Sequence, residues 1–80
     1  MKIPRNVNGT ELAKALNKLG YQVVRQTGSH LTATTTQAGE HHVTIPNHRP
    51  IKLGTLSGIL KAVAKHHGLS LDELLNLLDL

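Results

Sequence analysis

Six histidines and no cysteine set the chemical options of this 80-residue chain. Imidazole is the side chain that exchanges protons most readily near neutral pH. The absence of thiols removes disulfides, thiol nucleophiles and Cys-based zinc sites. One histidine has a setting suited to chemistry. His30 directly follows Gly28-Ser29, a turn whose backbone amides suit an anion such as a phosphate. An imidazole beside such a turn is placed for general acid–base work on a phosphate ester. Further along, Pro46-Asn47-His48-Arg49 offers a second imidazole and a cation.

The other histidines read differently. His66 and His67 end an apolar-periodic stretch, where a cation meets the negative end of a helix dipole. His41 and His42 are neighbours in a strand-like run, so they point to opposite faces. His42 could share a face with His30, but a zinc ion would still lack ligands, and no metal site is expected. A Ser29–His30 nucleophile pair fails for the same alternation. There are only five carboxylates, and Asp72 and Glu73 are committed to a helix start, which argues against a catalytic carboxylate pair. Neither a Walker loop nor a GxGxxG run is present.

Charge points to a polyanion. The formal net charge is +4, but residues 1–68 carry +7 and residues 69–80 carry −3. Lys14, Lys18, Lys61 and Lys65 stand at i,i+4 spacing on helix faces, where they serve either an RNA backbone or solubility. Tyr21 is the one aromatic, which removes the ring platforms on which RNA-recognition sheets and OB-folds stack bases.

The elements that must position these groups are legible from punctuation and period. The length fits one domain over residues 1–80 with a thin, leucine-rich core. Asn8 with Glu11 three residues on makes a capping box, and Leu12, Ala15, Leu16 and Leu19 follow at helical spacing. A helix over 9–19 is predicted, closed by Gly20. Residues 21–26, 30–36 and 40–45 alternate with period two and predict three strands. Three-residue loops, 26–28 and 37–39, each place glycine third. They pair Val23 with Leu31, Val24 with His30, Ala33 with Val43 and His30 with Pro46. Tyr21, Val23, Leu31, Ala33, Val43 and Ile45 then face inward, and Val24, His30, Thr32, Thr34, His42 and Thr44 outward. Leu56, Ile59, Leu60 and Val63 define a second helix closed by Gly68, and Ser70 with Glu73 opens a third. The fold expected is α+β, in the order α-β-β-β-α-α, with helices on one face of a three-stranded antiparallel sheet.

From the residues alone, His30 is most simply a solvated side chain on an outer sheet face. The motifs together say more. Gly20-Tyr21, Gly28-Ser29-His30, Ile45-Pro46-Asn47-His48 and Gly54-Thr55-Leu56 with Ile59-Leu60, in this order, resemble the HicA toxin family of HicAB toxin–antitoxin systems. The stretch Lys61–His67 makes the second helix about a turn longer than is usual in that family. The resemblance implies a double-stranded-RNA-binding-domain-like fold and a metal-independent endoribonuclease acting on mRNA, with no cofactor. It also implies that the catalytic histidine is His30 and that a HicB antitoxin covers it. His48, Ser29 and Gly28 are candidates for support: His48 as acid or as orienter of His30, the turn amides as donors to phosphate. Arg25, Arg49 and Lys52 are candidate cations, and Lys14 and Lys18 candidate backbone contacts. DNA lacks the 2′-hydroxyl that such a reaction uses.

The rival expectation is a non-catalytic RNA-binding module, in which His30 would be dispensable; a pure interaction protein is a third. No apolar run approaches the ~18 residues of a membrane span. The start, Met1-Lys2-Ile3-Pro4-Arg5, lacks a signal peptide's apolar stretch, and a cytoplasmic location is expected.

Overall fold

The computed structural model describes residues 3–80; Met1 and Lys2, part of the polar start noted above, lie outside them. The chain runs α1 (Gly9–Leu16), a 3-10 turn (Asn17–Leu19), β1 (Gln22–Thr27), β2 (His30–Thr35), β3 (His41–Pro46), α2 (Leu53–His67) and α3 (Leu71–Leu78). The three strands form one antiparallel sheet in the order β1-β2-β3. This is the α+β arrangement expected, helix then sheet then two helices.

The helix ends follow the sequence signals. The Glu11 carboxylate accepts the Asn8 backbone N–H at 3.1 Å, and the first helix tightens into its 3-10 turn before Gly20 closes it at φ +82°. Ser70 and Glu73 cap α3 reciprocally, at 2.9 and 3.1 Å, and these bonds hold the Glu73 carboxyl below the ordinary carboxylate range. Lys18 Nζ donates to the Leu77 and Leu78 carbonyls at 3.2 and 3.3 Å. That places a cation on the exposed carbonyls of α3 and ties it to the end of the first helix.

One core joins the layers. Leu12 and Leu16 of α1, Leu56, Leu60 and Val63 of α2, and Leu74 and Leu78 of α3 bury against Leu31, Ala33, Val43 and Ile45 of the sheet. Each of these leucine, isoleucine and valine side chains contributes about 1.5–3 kcal/mol by leaving water. Thr35 is the buried polar residue, and it is satisfied: its hydroxyl donates to the Leu19 carbonyl at 2.7 Å and accepts from Gln37 N–H at 3.1 Å.

The β2–β3 register is the expected one, with His30 opposite Pro46 and Ala33 opposite Val43. The β1–β2 register is not. The strand continues through Thr27, and the loop is Gly28-Ser29 alone, so Thr27 faces His30 and Gln26 faces Leu31. Gly28 has φ +58° and Ser29 has no positive φ, the pattern that a two-residue II′-type hairpin asks of its first position. A bulge between Val23 and Arg25 then shifts the pairing, so Val23 lies opposite Ala33 rather than Leu31, and Val24 drops out of register rather than meeting His30. Val23 shares the inner face with Ala33 yet stays 47% exposed, because α2 packs on β3, two strands away, and leaves Val23 little covered.

Candidate active site

The N-terminal end of β2 and the C-terminal end of β3 meet at one end of the sheet, and Gly28, Ser29, His30 and His48 gather there. His30 opens β2 opposite Pro46, which ends β3 because it has no N–H to donate. The Asn47 N–H donates to the Ser29 carbonyl at 2.6 Å, extending the pairing past the strand end. So Gly28-Ser29-His30 and Pro46-Asn47-His48 are held side by side by backbone geometry. His30, His48, Arg49 and Lys52 are exposed. Among the described residues neither the His30 nor the His48 ring has a hydrogen-bond partner, which leaves both imidazoles available.

The floor of this corner is the start of α1. The Gly9 N–H donates to the His48 carbonyl at 3.1 Å, and the Ile51 N–H donates to the Val7 carbonyl at 2.8 Å. Gly9 is buried, and a Cβ there would stand 2.8 Å from Asn47 Cα and closer still to the Pro46 carbonyl oxygen. Only glycine lets α1 approach the Pro46–Asn47 backbone so closely. This residue was missed by pattern reasoning. The signal that could have found it is a glycine at the first helical position, a poor helix former immediately after a capping residue.

β1 brings a cation to the same face as His30. The two-residue turn puts Thr27 opposite His30, Gln26 opposite Leu31 and Arg25 opposite Thr32, so Arg25 stands on the outer face, shared by His30, Thr32 and Thr44. Of the other basic candidates, Arg49 and Lys52 sit on the strap after His48. Lys14 lies on α1 and Lys18 in the 3-10 turn that follows, where Lys18 is engaged at the end of α3.

His42 does not join His30. It pairs with Thr34, four residues along β2, roughly 13 Å away at strand spacing. Its Nδ1 meets Thr34 Oγ1 at 2.8 Å and its Nε2 lies 3.7 Å from Glu40. Among the described residues no group of three or more metal-ligating side chains is close enough to hold a metal ion.

The remaining histidines form a second cluster at the opposite end of the sheet. Tyr21, fully buried, places its hydroxyl 2.7 Å from His41 Nδ1 and 3.1 Å from His67 Nε2. A phenol has one proton, so one of these imidazoles accepts it and the other donates an N–H to the phenol oxygen. His66 Nε2 lies 3.1 and 3.0 Å from the Gln37 and Gly39 carbonyls, which makes it a donor, and its ring stacks on His41 at 4.4 Å. These contacts, rather than the α2 dipole alone, occupy His66 and His67. Burial pushes the Tyr21 phenol up to about 12. It also lowers His41 and His67, with a smaller contribution from the charge that His66 would bring beside them.

Residues 9–64 match the family model described as the HicA toxin of bacterial toxin-antitoxin systems. That span holds β1–β3 and the whole Gly28–His30 and Pro46–His48 corner, with Tyr21 and His41 of the second cluster, whose His66 and His67 lie past it. No curated protein and no solved structure matches the chain. No helix among the described residues is long and apolar enough to cross a membrane. With its model covering more than half of the residues, the chain belongs to the HicA toxin family.

Proposed function

We infer that this toxin is an endoribonuclease that cleaves mRNA, with His30 as its catalytic base and a HicB-type antitoxin as its neutralising partner. The observation that supports this most is the meeting of two segments, distant in sequence, that leaves two unpartnered imidazoles on a backbone-fastened corner. His30 takes the proton of a ribose 2′-hydroxyl, and the freed oxygen attacks the adjacent phosphorus. The bond from phosphorus to the 5′-oxygen breaks, and that oxygen receives a proton from an acid, for which His48 is the candidate. The products are a 2′,3′-cyclic phosphate and a 5′-hydroxyl. Arg25, on the same face as His30, offsets charge on the non-bridging oxygens, with the Gly28 and Ser29 amides beside it. Arg49 and Lys52 extend the basic surface along the strap. The cytoplasm, where mRNA is translated, is the compartment this reading requires.

The test is cleavage of single-stranded RNA by wild type and His30→Ala in EDTA, with circular dichroism to establish that both fold. Wild-type cutting to cyclic-phosphate ends, with a folded but inert variant, supports the reading. Equal RNA binding by two folded, non-cutting proteins would favour a binding module and leave His30 a surface residue.

A further inference from the structure

Beyond the scissile corner, the strap that carries His48 forms one wall of a separate depression. Pro50, Ile51 and Lys52 face Pro4 and Arg5 across a space of about 350 Å³, at the lower end of the ~300–1,000 Å³ typical of small-ligand pockets. Its floor is apolar, made by the buried Ile51 and the two proline rings, and Arg5 and Lys52 are exposed cations on its rim. Among the described residues no carboxylate lines it. The walls are fastened before any ligand arrives. The Ile51 N–H bonds to the Val7 carbonyl at 2.8 Å, and the Gly9 N–H to the His48 carbonyl at 3.1 Å. The same strap therefore carries both His48 and the pocket.

We propose that this depression is a nucleotide subsite, which holds the base of a single-stranded RNA nucleotide beside the one being cut. The proposal rests on the ribonuclease reading above and adds the residues that would select and orient the substrate. The chemistry is specific. An apolar floor with cationic edges suits a flat base attached to a phosphate, and unstacked bases pack on guanidinium planes as well as on rings. Tyr21, the chain's one aromatic, is fully buried and cannot serve, so Arg5 over the proline floor is the available platform. Lys52 lies where it can meet the attached phosphate, and the adjoining Arg49 continues the basic path toward His48. An acidic protein segment would satisfy the cations but would leave the apolar floor without a flat partner.

The experiment uses the full chain carrying His30→Ala, so that nothing is consumed. Amide chemical shifts are followed as each of the four nucleoside 5′-monophosphates is added, then ribose 5-phosphate, inorganic phosphate and an oligoglutamate peptide. Saturable shifts at Asn6, Ile51, Lys52 and Leu53 with nucleotides are expected, with ribose 5-phosphate much weaker. Adding Arg5→Ala, an exposed change that leaves the core intact, should weaken nucleotide binding about tenfold. Equal shifts with inorganic phosphate, preference for the peptide, or nucleotide shifts confined to other surfaces would each overturn the subsite. Wild-type RNA cleavage measured in parallel separates the two ideas. Cutting with an empty pocket removes the subsite alone, whereas nucleotide in the pocket without cutting removes the catalytic reading alone.

Discussion

The two ends of the β2–β3 hairpin both carry histidines, and they use them in opposite ways. At the far end, His41, His66 and His67 are half-buried and engaged with Tyr21, with the Gln37 and Gly39 carbonyls, and with one another. At the near end, His30 and His48 are exposed, and their positions are set by backbone bonds at Ser29, Asn47 and Gly9. An imidazole whose nitrogens already serve a fold-holding network has no proton to exchange with a substrate. One held through its backbone keeps both nitrogens for chemistry. Counting histidines could not separate these roles; the distribution of their partners does.

The largest effect that would sharpen this contrast is on turnover. His30→Ala should lower RNA cleavage by 10²–10⁴-fold with a melting temperature close to that of wild type. A large fall in stability would mean that His30 belongs with the structural group instead. Next comes the floor of the near end. Gly9→Val forces a branched side chain against the Pro46 carbonyl and Asn47 Cα, and should cost about 2–3 kcal/mol in denaturant unfolding. Cleavage should fall with it, since the strap that positions His48 must move.

The far end should show the converse. Tyr21→Phe removes the hydroxyl shared by His41 and His67 and should cost about 1–3 kcal/mol, while kcat for RNA stays as in wild type. A changed kcat would couple the two ends and break the contrast. The same cluster sets a pH dependence. His41 and His67 are lowered in the folded chain, so the unfolded chain binds more protons below the ordinary histidine value. Stability is therefore full above about pH 6.5 and lost as the pH falls below it. Tyr21 acts with the opposite sign. Its value is raised to about 12, so stability declines as pH climbs from 10 toward 12. Thermal melts from pH 4 to 11 on wild type and Tyr21→Phe check both limbs, and the alkaline loss should vanish in the variant. The smallest effect is Lys18→Met, which removes the cation from the end of α3 and should cost about 0.3–1 kcal/mol. If RNA affinity falls instead of stability, Lys18 is a backbone contact after all.

Most of the fold was legible because its signals are local. Asn8–Glu11 and Ser70–Glu73 announce helix starts, and Gly20 and Gly68 announce ends. The β2–β3 register followed from alternation across a short loop, and with it the pairing of His30 with Pro46. The β1–β2 register was not legible. Thr27 is as acceptable in a strand as in a loop, and a bulge at Val24 has no residue signature, because it is set by how the edge strand must twist over the sheet. The site shared that fate. Gly28, Ser29, His30 and His48 were found as a group, but Arg25's place among them depends on the length of the β1–β2 turn. Gly9 depends on a contact with residues nearly forty positions away, and the Tyr21–His67 bond spans the length of the sheet region. Long-range juxtaposition leaves no trace in spacing.

The bulge has a further consequence, for how these molecules behave in company. β1 is an outer strand with every residue exposed and two consecutive valines, Val23 and Val24, on view. A straight strand of that composition offers an unbroken row of amides and carbonyls, on which another copy can add strand by strand. The extra residue at Val24 interrupts that row halfway and bends it, so an incoming strand can match one half or the other but not both. The irregularity that returns Val23 to the inner face thus also makes the rim of the sheet a poor template for growth.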